Sequence, residues 1–147
     1  MRKDRIEFWI KEEGLRPRQP DKERIKSMIR SAKINADIVK SIKLTDDSAT
    51  VIFREVYESI RQLGDAQWWL LGYEPLNHEV TMEILKEMEI KDKLRLNHLA
   101  RFKKIRNDIN YRGFRASVLQ AQEILNFWNA CSKEIIAILL NQIKEKS

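Results

Sequence analysis

Residues 21–42 read DKERIKSMIRSAKINADIVKSI, and the spacing of their apolar side chains decides the fold. Ile25, Met28, Ile29, Ala32, Ala36 and Val39 recur at steps of three and four, which places them on one stripe of a helix while Lys and Arg take the other faces. Neither Gly nor Pro interrupts the stretch. It therefore predicts a long helix that must bury one face against a partner element.

Working toward the C-terminus, Thr45 with Asp46 and Asp47 reads as an N-cap followed by carboxylates suited to the positive end of a second helix. That helix runs through Phe53, Val56, Tyr57, Ile60 and Leu63 to about residue 71 and stops at Gly72. Gly64 lies inside it, where glycine costs about 1 kcal/mol relative to alanine, so a close helix crossing is expected there. Residues 73–76 read as a loop. Asn77 then caps a third, shorter helix with Glu79 in its first turn and Val80, Ile84, Leu85 and Met88 inward. A fourth helix from about Lys91 carries Leu94, His98, Phe102, Ile105 and Ile109 and ends at Gly113. A fifth runs from about Arg115 to Lys144 with Leu125, Trp128, Cys131, Ile135, Ile138 and Leu139 inward.

Toward the N-terminus, residues 5–12 form a short amphipathic helix with Ile6, Trp9 and Ile10, closed by Gly14, Pro17 and Pro20. With four glycines and three prolines in 147 residues, and no alternating run, no strand is expected. The expectation is one all-α domain over residues 1–147, with a flap at 1–20 and an up-and-down antiparallel bundle at 21–145. It has four long helices and one short one, because short connections make neighbours antiparallel.

Met1 to Ile10 is charged and lacks the apolar centre of a signal peptide, and no stretch approaches the roughly 20 apolar residues of a membrane span. The lone Cys131 sits among apolar neighbours and reads as a buried thiol. A cytoplasmic, reducing setting without membrane attachment is expected. Of the adjacent Trp68 and Trp69, one should point inward and the other mark a dimer or partner surface; Trp9 and Trp128 read as core.

The formal charge is +6, and most of it is local. Between residues 101 and 115, Arg101, Lys103, Lys104, Arg106, Arg112 and Arg115 stand against Asp108 alone, as in a phosphate-facing patch. Two histidines and one cysteine make no recognisable zinc site, and Gly-rich phosphate loops and serine-nucleophile motifs are absent, so neither metal nor cofactor is expected. Within the patch, Arg106-Asn107-Asp108-Ile109-Asn110-Tyr111-Arg112-Gly113 crowds polar side chains into a helix end. Asn and Asp compete for backbone hydrogen bonds inside helices, so the cluster serves either as a cap or as a binding surface. His78 has two readings: a helix-start residue satisfied by the backbone, which is preferred, or a polar group reaching a cleft beside Arg106. His98 reads as a half-buried bundle residue.

The segment 105–113, the turn Gly72-Tyr73-Glu74-Pro75-Leu76-Asn77-His78-Glu79, and the helix order from Asp21 to Lys144 together resemble the HEPN family, helical domains of higher eukaryotes and prokaryotes. The resemblance implies a two-fold dimer whose signature segments face one cleft. Many such domains are metal-independent ribonucleases with an arginine followed, after four to six residues, by a histidine. Arg106 matches the arginine and Asn107 the polar residue after it, but Tyr111 stands where the histidine would be. A tyrosine hydroxyl is a poorer general base than imidazole at neutral pH. The family also supplies partners for minimal nucleotidyltransferases in toxin and antitoxin pairs, where a tyrosine two residues past the histidine is modified; Gly113 occupies that position here.

Three functions follow as expectations. The leading one is a non-catalytic HEPN-like module that binds RNA, nucleotide or a nucleotidyltransferase through Arg106, Asn107, Asp108, Asn110, Tyr111, Arg112, Arg115 and His78. The second is a ribonuclease in which Arg106 holds the scissile phosphate and Tyr111 or His78 moves protons. The third is a structural, oligomerising bundle with a merely solvated basic face.

Overall fold

The computed structural model describes residues 1–146. In order they form α1 (Lys3–Lys11), β1 (Leu15–Pro17), α2 (Lys22–Lys40), α3 (Ala49–Leu71), β2 (Tyr73–Pro75), α4 (His78–Leu85), a 3-10 turn (Lys93–Asn97), α5 (His98–Arg112) and α6 (Val118–Glu145). The chain is an all-α bundle. α3 lies at its centre, packed along α2 on one side and α6 on another, with α4 and α5 against its remaining flank.

The stripe that opened the sequence reading is the buried face of α2: Ile25, Ile29, Ala32, Ala36 and Val39 all face inward. Asp21 caps the helix by accepting from the Arg24 backbone N–H. α3 is buried around most of its girth, as a central helix must be. The main core is knit by edge-to-face rings, Phe53 against Phe102 at 6.1 Å and Phe102 against Phe127 at 5.6 Å, which join α3, α5 and α6. Trp128 and Cys131 lie in this core. A smaller cluster of Trp9, Leu15, Trp68, Val80 and Ile84 seats the N-terminal flap on α3 and α4. The indole N–H of Trp68 donates to the Val80 carbonyl at 2.9 Å, so this fully enclosed ring leaves no polar atom unpaired.

Gly64 sits at the expected crossing. A Cβ there would lie 2.6 Å from Thr81 Cγ2 and 2.8 Å from the Thr81 carbonyl oxygen, so only glycine lets α4 come this near. Gly72 and Gly113 end α3 and α5 in the left-handed conformation, as their positions predicted.

Five expectations about the elements and the tryptophan pair need correction. Residues 73–75 are not loop but a strand, paired antiparallel with Leu15–Pro17 in the register Leu15 to Pro75, Arg16 to Glu74 and Pro17 to Tyr73. Three residues are too few for alternation to be read from sequence, and the prolines fit because the ribbon has only edges. α3 begins at Ala49, because Thr45 and Ser48 first close a turn on each other: the Ser48 backbone N–H donates to Thr45 Oγ1 and the Thr45 N–H to Ser48 Oγ. The fourth helix of the bundle begins at His98, not about Lys91. The 3-10 turn before it has three residues per turn, which shifts the phase so that Leu96 and Leu99 are buried and Leu94 is 79% exposed. α6 starts at Val118 behind a capping box formed by Ser117 and Gln120. Finally, both tryptophans of the Trp68-Trp69 pair are buried; the Arg24 guanidinium covers Trp69, 4.8 Å from its ring. Trp69 therefore marks no partner surface.

Among the described residues no helix is long and apolar enough to cross a membrane.

Candidate functional site

On α5, residues four apart share a flank, so Arg106 and Asn110 turn together toward α3. Asn110, with its carboxamide oxygen toward Arg106, accepts from Nε at 3.0 Å and Nη2 at 3.2 Å. Asn107 Oδ1 accepts more weakly from Nη1 at 3.4 Å. The guanidinium carbon stands 5.9 Å from the centroid of the Tyr57 ring. No carboxylate among the described residues forms an ion pair with Arg106. The polar residues of the helix end thus hold Arg106 in place without neutralising it.

Opposite, α3 contributes Arg54, Glu55, Tyr57 and Glu58 to a cleft of about 170 Å³ that Arg106 and Asn110 close. The Tyr57 hydroxyl is buried without a hydrogen-bond partner. Burial pushes it up to about 12, against the pull of Arg106 and Arg61, so it stays protonated and able to donate. Behind it, Arg61 pairs with Glu58 and Asp65, and Thr81 Oγ1 on α4 donates to Asp65 at 2.6 Å. Burial raises the Asp65 carboxyl, with Arg61 and Thr81 opposing.

His78, the first residue of α4, corrects the preferred sequence reading. Its Nδ1 is buried and has no hydrogen-bond partner, so the backbone does not satisfy it. Burial lowers its pKa, and Arg61 and then Arg106 lower it further, while Glu58 opposes them. The imidazole is therefore neutral at pH 7 and stands in the field of Arg106. His98, expected to be half-buried, is exposed and stacks on Phe102 with centroids 6.1 Å apart.

Of the sequence-predicted residues, the fold thus gathers Arg106, Asn107, Asn110 and His78 on one side. Tyr111 comes five residues after Arg106, about 140° around the helix, and is 77% exposed. Arg112 lies 4.0 Å from Asp108 and 6.0 Å from the Phe114 ring, and Phe114 is itself 56% exposed. Arg115 donates to the Asp47 carbonyl at 2.9 Å, fastening the loop before α6 to the start of α3. The segment therefore offers two surfaces: an inward cleft around Arg106, and an outward aromatic and cationic end at residues 111–114.

Sequence reasoning missed Arg54, Glu58, Arg61 and Asp65. Their signal was present, since steps of four, three and four put these charges on one face of an otherwise apolar helix. Among the described residues no group of three or more His, Cys, Asp or Glu side chains could hold a metal ion. Comparison with protein-family models, curated proteins and solved structures finds no match to this chain.

Proposed function

We propose that this chain is a non-catalytic, HEPN-like module that binds single-stranded RNA or nucleotide through the C-terminal end of α5. The observation that carries the reading is the exposure of Tyr111 and Phe114 beside Arg112, because two bare rings next to cations form a stacking platform for bases. Arg106 and the neighbouring Lys103 and Lys104 add charge that attracts phosphates. A two-fold dimer would bring two such patches together, and a minimal nucleotidyltransferase is the protein partner that the family resemblance suggests. Trp69, being buried, lends the dimer no support. Fluorescence anisotropy with a short single-stranded RNA tests the proposal. Base stacking is worth about 1–3 kcal/mol, so Tyr111→Ala with Phe114→Ala should weaken binding at least about fivefold. Arg112→Gln should reduce the salt dependence. Undiminished binding by the aromatic double variant overturns the reading.

A second reading, a metal-independent ribonuclease, is favoured by one observation: the neutral His78 imidazole with its unpartnered nitrogen near Arg106. Here Arg106 would hold the scissile phosphate and His78 would accept the 2′-hydroxyl proton. RNA cleavage abolished by both His78→Ala and Arg106→Ala supports it; a wild-type protein that leaves RNA intact removes it.

A further inference from the structure

On the other flank of α5, facing α6 instead of α3, lies a second cleft of about 260 Å³ whose floor is made by Phe102 and Phe127. Its polar lining is Arg95, His98, Arg101, Glu123 and Asn126. The hydrogen bonds within this lining determine which of its atoms remain free. Arg101 donates from Nη1 to Glu123 and lies with Nη2 3.3 Å from His98 Nδ1. An arginine can only donate, so Nδ1 is the acceptor and the His98 proton sits on Nε2. Asn126 Oδ1 accepts from Gln122 Nε2 at 2.9 Å, which leaves the Asn126 amide nitrogen as the free end. Arg95 uses Nε on Asp92 at 2.8 Å, and its terminal nitrogens have no other hydrogen bond among the described residues.

The free polar atoms of this cleft are thus mostly donors: two Arg95 nitrogens, His98 Nε2 and Asn126 Nδ2. The one carboxylate in the lining, Glu123, is held through Oε2 by Arg101, which leaves Oε1 as the one free carboxylate acceptor. A cleft whose free donors outnumber its free acceptors is complementary to an oxyanion, and guanidinium groups suit the tetrahedral oxygens of phosphate. Its volume is below the about 300 Å³ at which drug-sized sites begin, so it accommodates a phosphate group with part of a sugar, not a whole ligand.

We propose that this cleft is a phosphate subsite, with Arg95, His98 and Asn126 as its ligating groups and the Arg101–Glu123 pair as the wall that fixes His98. Nothing in this proposal depends on the aromatic platform at Tyr111 and Phe114, which lies further along α5.

Side-chain NMR on the intact protein tests it, with inorganic phosphate, AMP and a single-stranded RNA hexanucleotide as separate probes. The His98 and Asn126 resonances should move on titration into the millimolar range. Arg95→Gln should weaken phosphate binding about tenfold, the scale of one charge-assisted hydrogen bond. Glu123→Gln should strengthen it, because it removes a negative charge beside the bound anion while its amide oxygen can still accept from Arg101 and keep the wall in place. Both side chains are partly exposed and lie outside the core, so the variants should fold, which the unchanged backbone spectrum verifies. Shifts with phosphate and AMP assign the subsite to free phosphomonoesters; shifts with the hexanucleotide alone assign it to a phosphate along a strand. If no probe moves His98 or Asn126, or if the two variants bind like the wild type, the proposal is wrong. Retention of these shifts in the Tyr111→Ala, Phe114→Ala variant separates this subsite from the RNA platform.

Discussion

The Thr81 hydroxyl donates to Asp65 Oδ1 at 2.6 Å, and Asp65 on its other oxygen takes the Arg61 guanidinium. A carboxylate only 8% exposed thereby ties α4 to α3, a few residues from His78. Thr81→Val keeps the shape and removes the donor, leaving a buried carboxylate one hydrogen bond short. The expected loss is about 1–3 kcal/mol, read from urea denaturation. Thr81→Ser, which retains the hydroxyl, should lose less. Equal stability of Thr81→Val and wild type would mean that the tie carries no net energy.

The same threonine limits what can stand across from it. Gly64→Ala would place a methyl group 2.6 Å from Thr81 Cγ2 and 2.8 Å from its backbone oxygen, and backbone cannot rotate away. Overpacking of this kind costs about 1–3 kcal/mol, more than the helix propensity that alanine gains. Thermal unfolding should therefore show Gly64→Ala destabilised; an unchanged or raised Tm would mean that α4 is free to slide outward.

These two residues also mark where the sequence was legible. Gly64 in the middle of a helix announced a close crossing because glycine carries a known penalty there, and the stripe of α2 announced its buried face because six positions agree. The identity of the residue across the crossing, Thr81, could not be read, since it depends on how two helices meet in space. The phase of the chain near Leu94 was misread for a local reason: one 3-10 turn rotates every following side chain relative to an α-helical extrapolation. At the site, Arg106, Asn107 and Asn110 stood out because polar residues are costly inside a helix. Arg61 and Glu58 did not, since a charged pair three apart on a helix looks like solvated surface until its partner helices are in place.

Glu83 on α4 holds the flap through three hydrogen bonds: Arg5 donates to it at 2.8 and 2.9 Å and the Trp9 indole N–H at 2.7 Å. Glu83→Ala removes all three bonds at once. Hydrogen exchange should then quicken in α1 and β1 while α3 and α6 keep their protection, because the main core does not depend on the flap. Glu83→Gln, which can still accept from Trp9, should fall between. Uniform loss of protection across the chain would show instead that flap and bundle unfold as one unit.

His78 gives the folded protein a pH dependence of definite sign. Burial and the nearby Arg61 and Arg106 hold its folded-state pKa below the ordinary 6.5, so in the folded protein the neutral ring is favoured. Between the two values the unfolded chain binds a proton that the folded chain does not, and stability rises with pH across that interval. The contribution of His78 is therefore complete above about pH 6.5 and is lost as pH falls through the lowered value. His78→Gln keeps a polar group without a titrating one, so its denaturation midpoint should change less with pH over the same interval. Subtracting the two profiles cancels the groups that both proteins share. A difference that is flat with pH would place His78 in water, and one in which the wild type gains on acidification would place it beside a carboxylate; either would put it away from the field of Arg106.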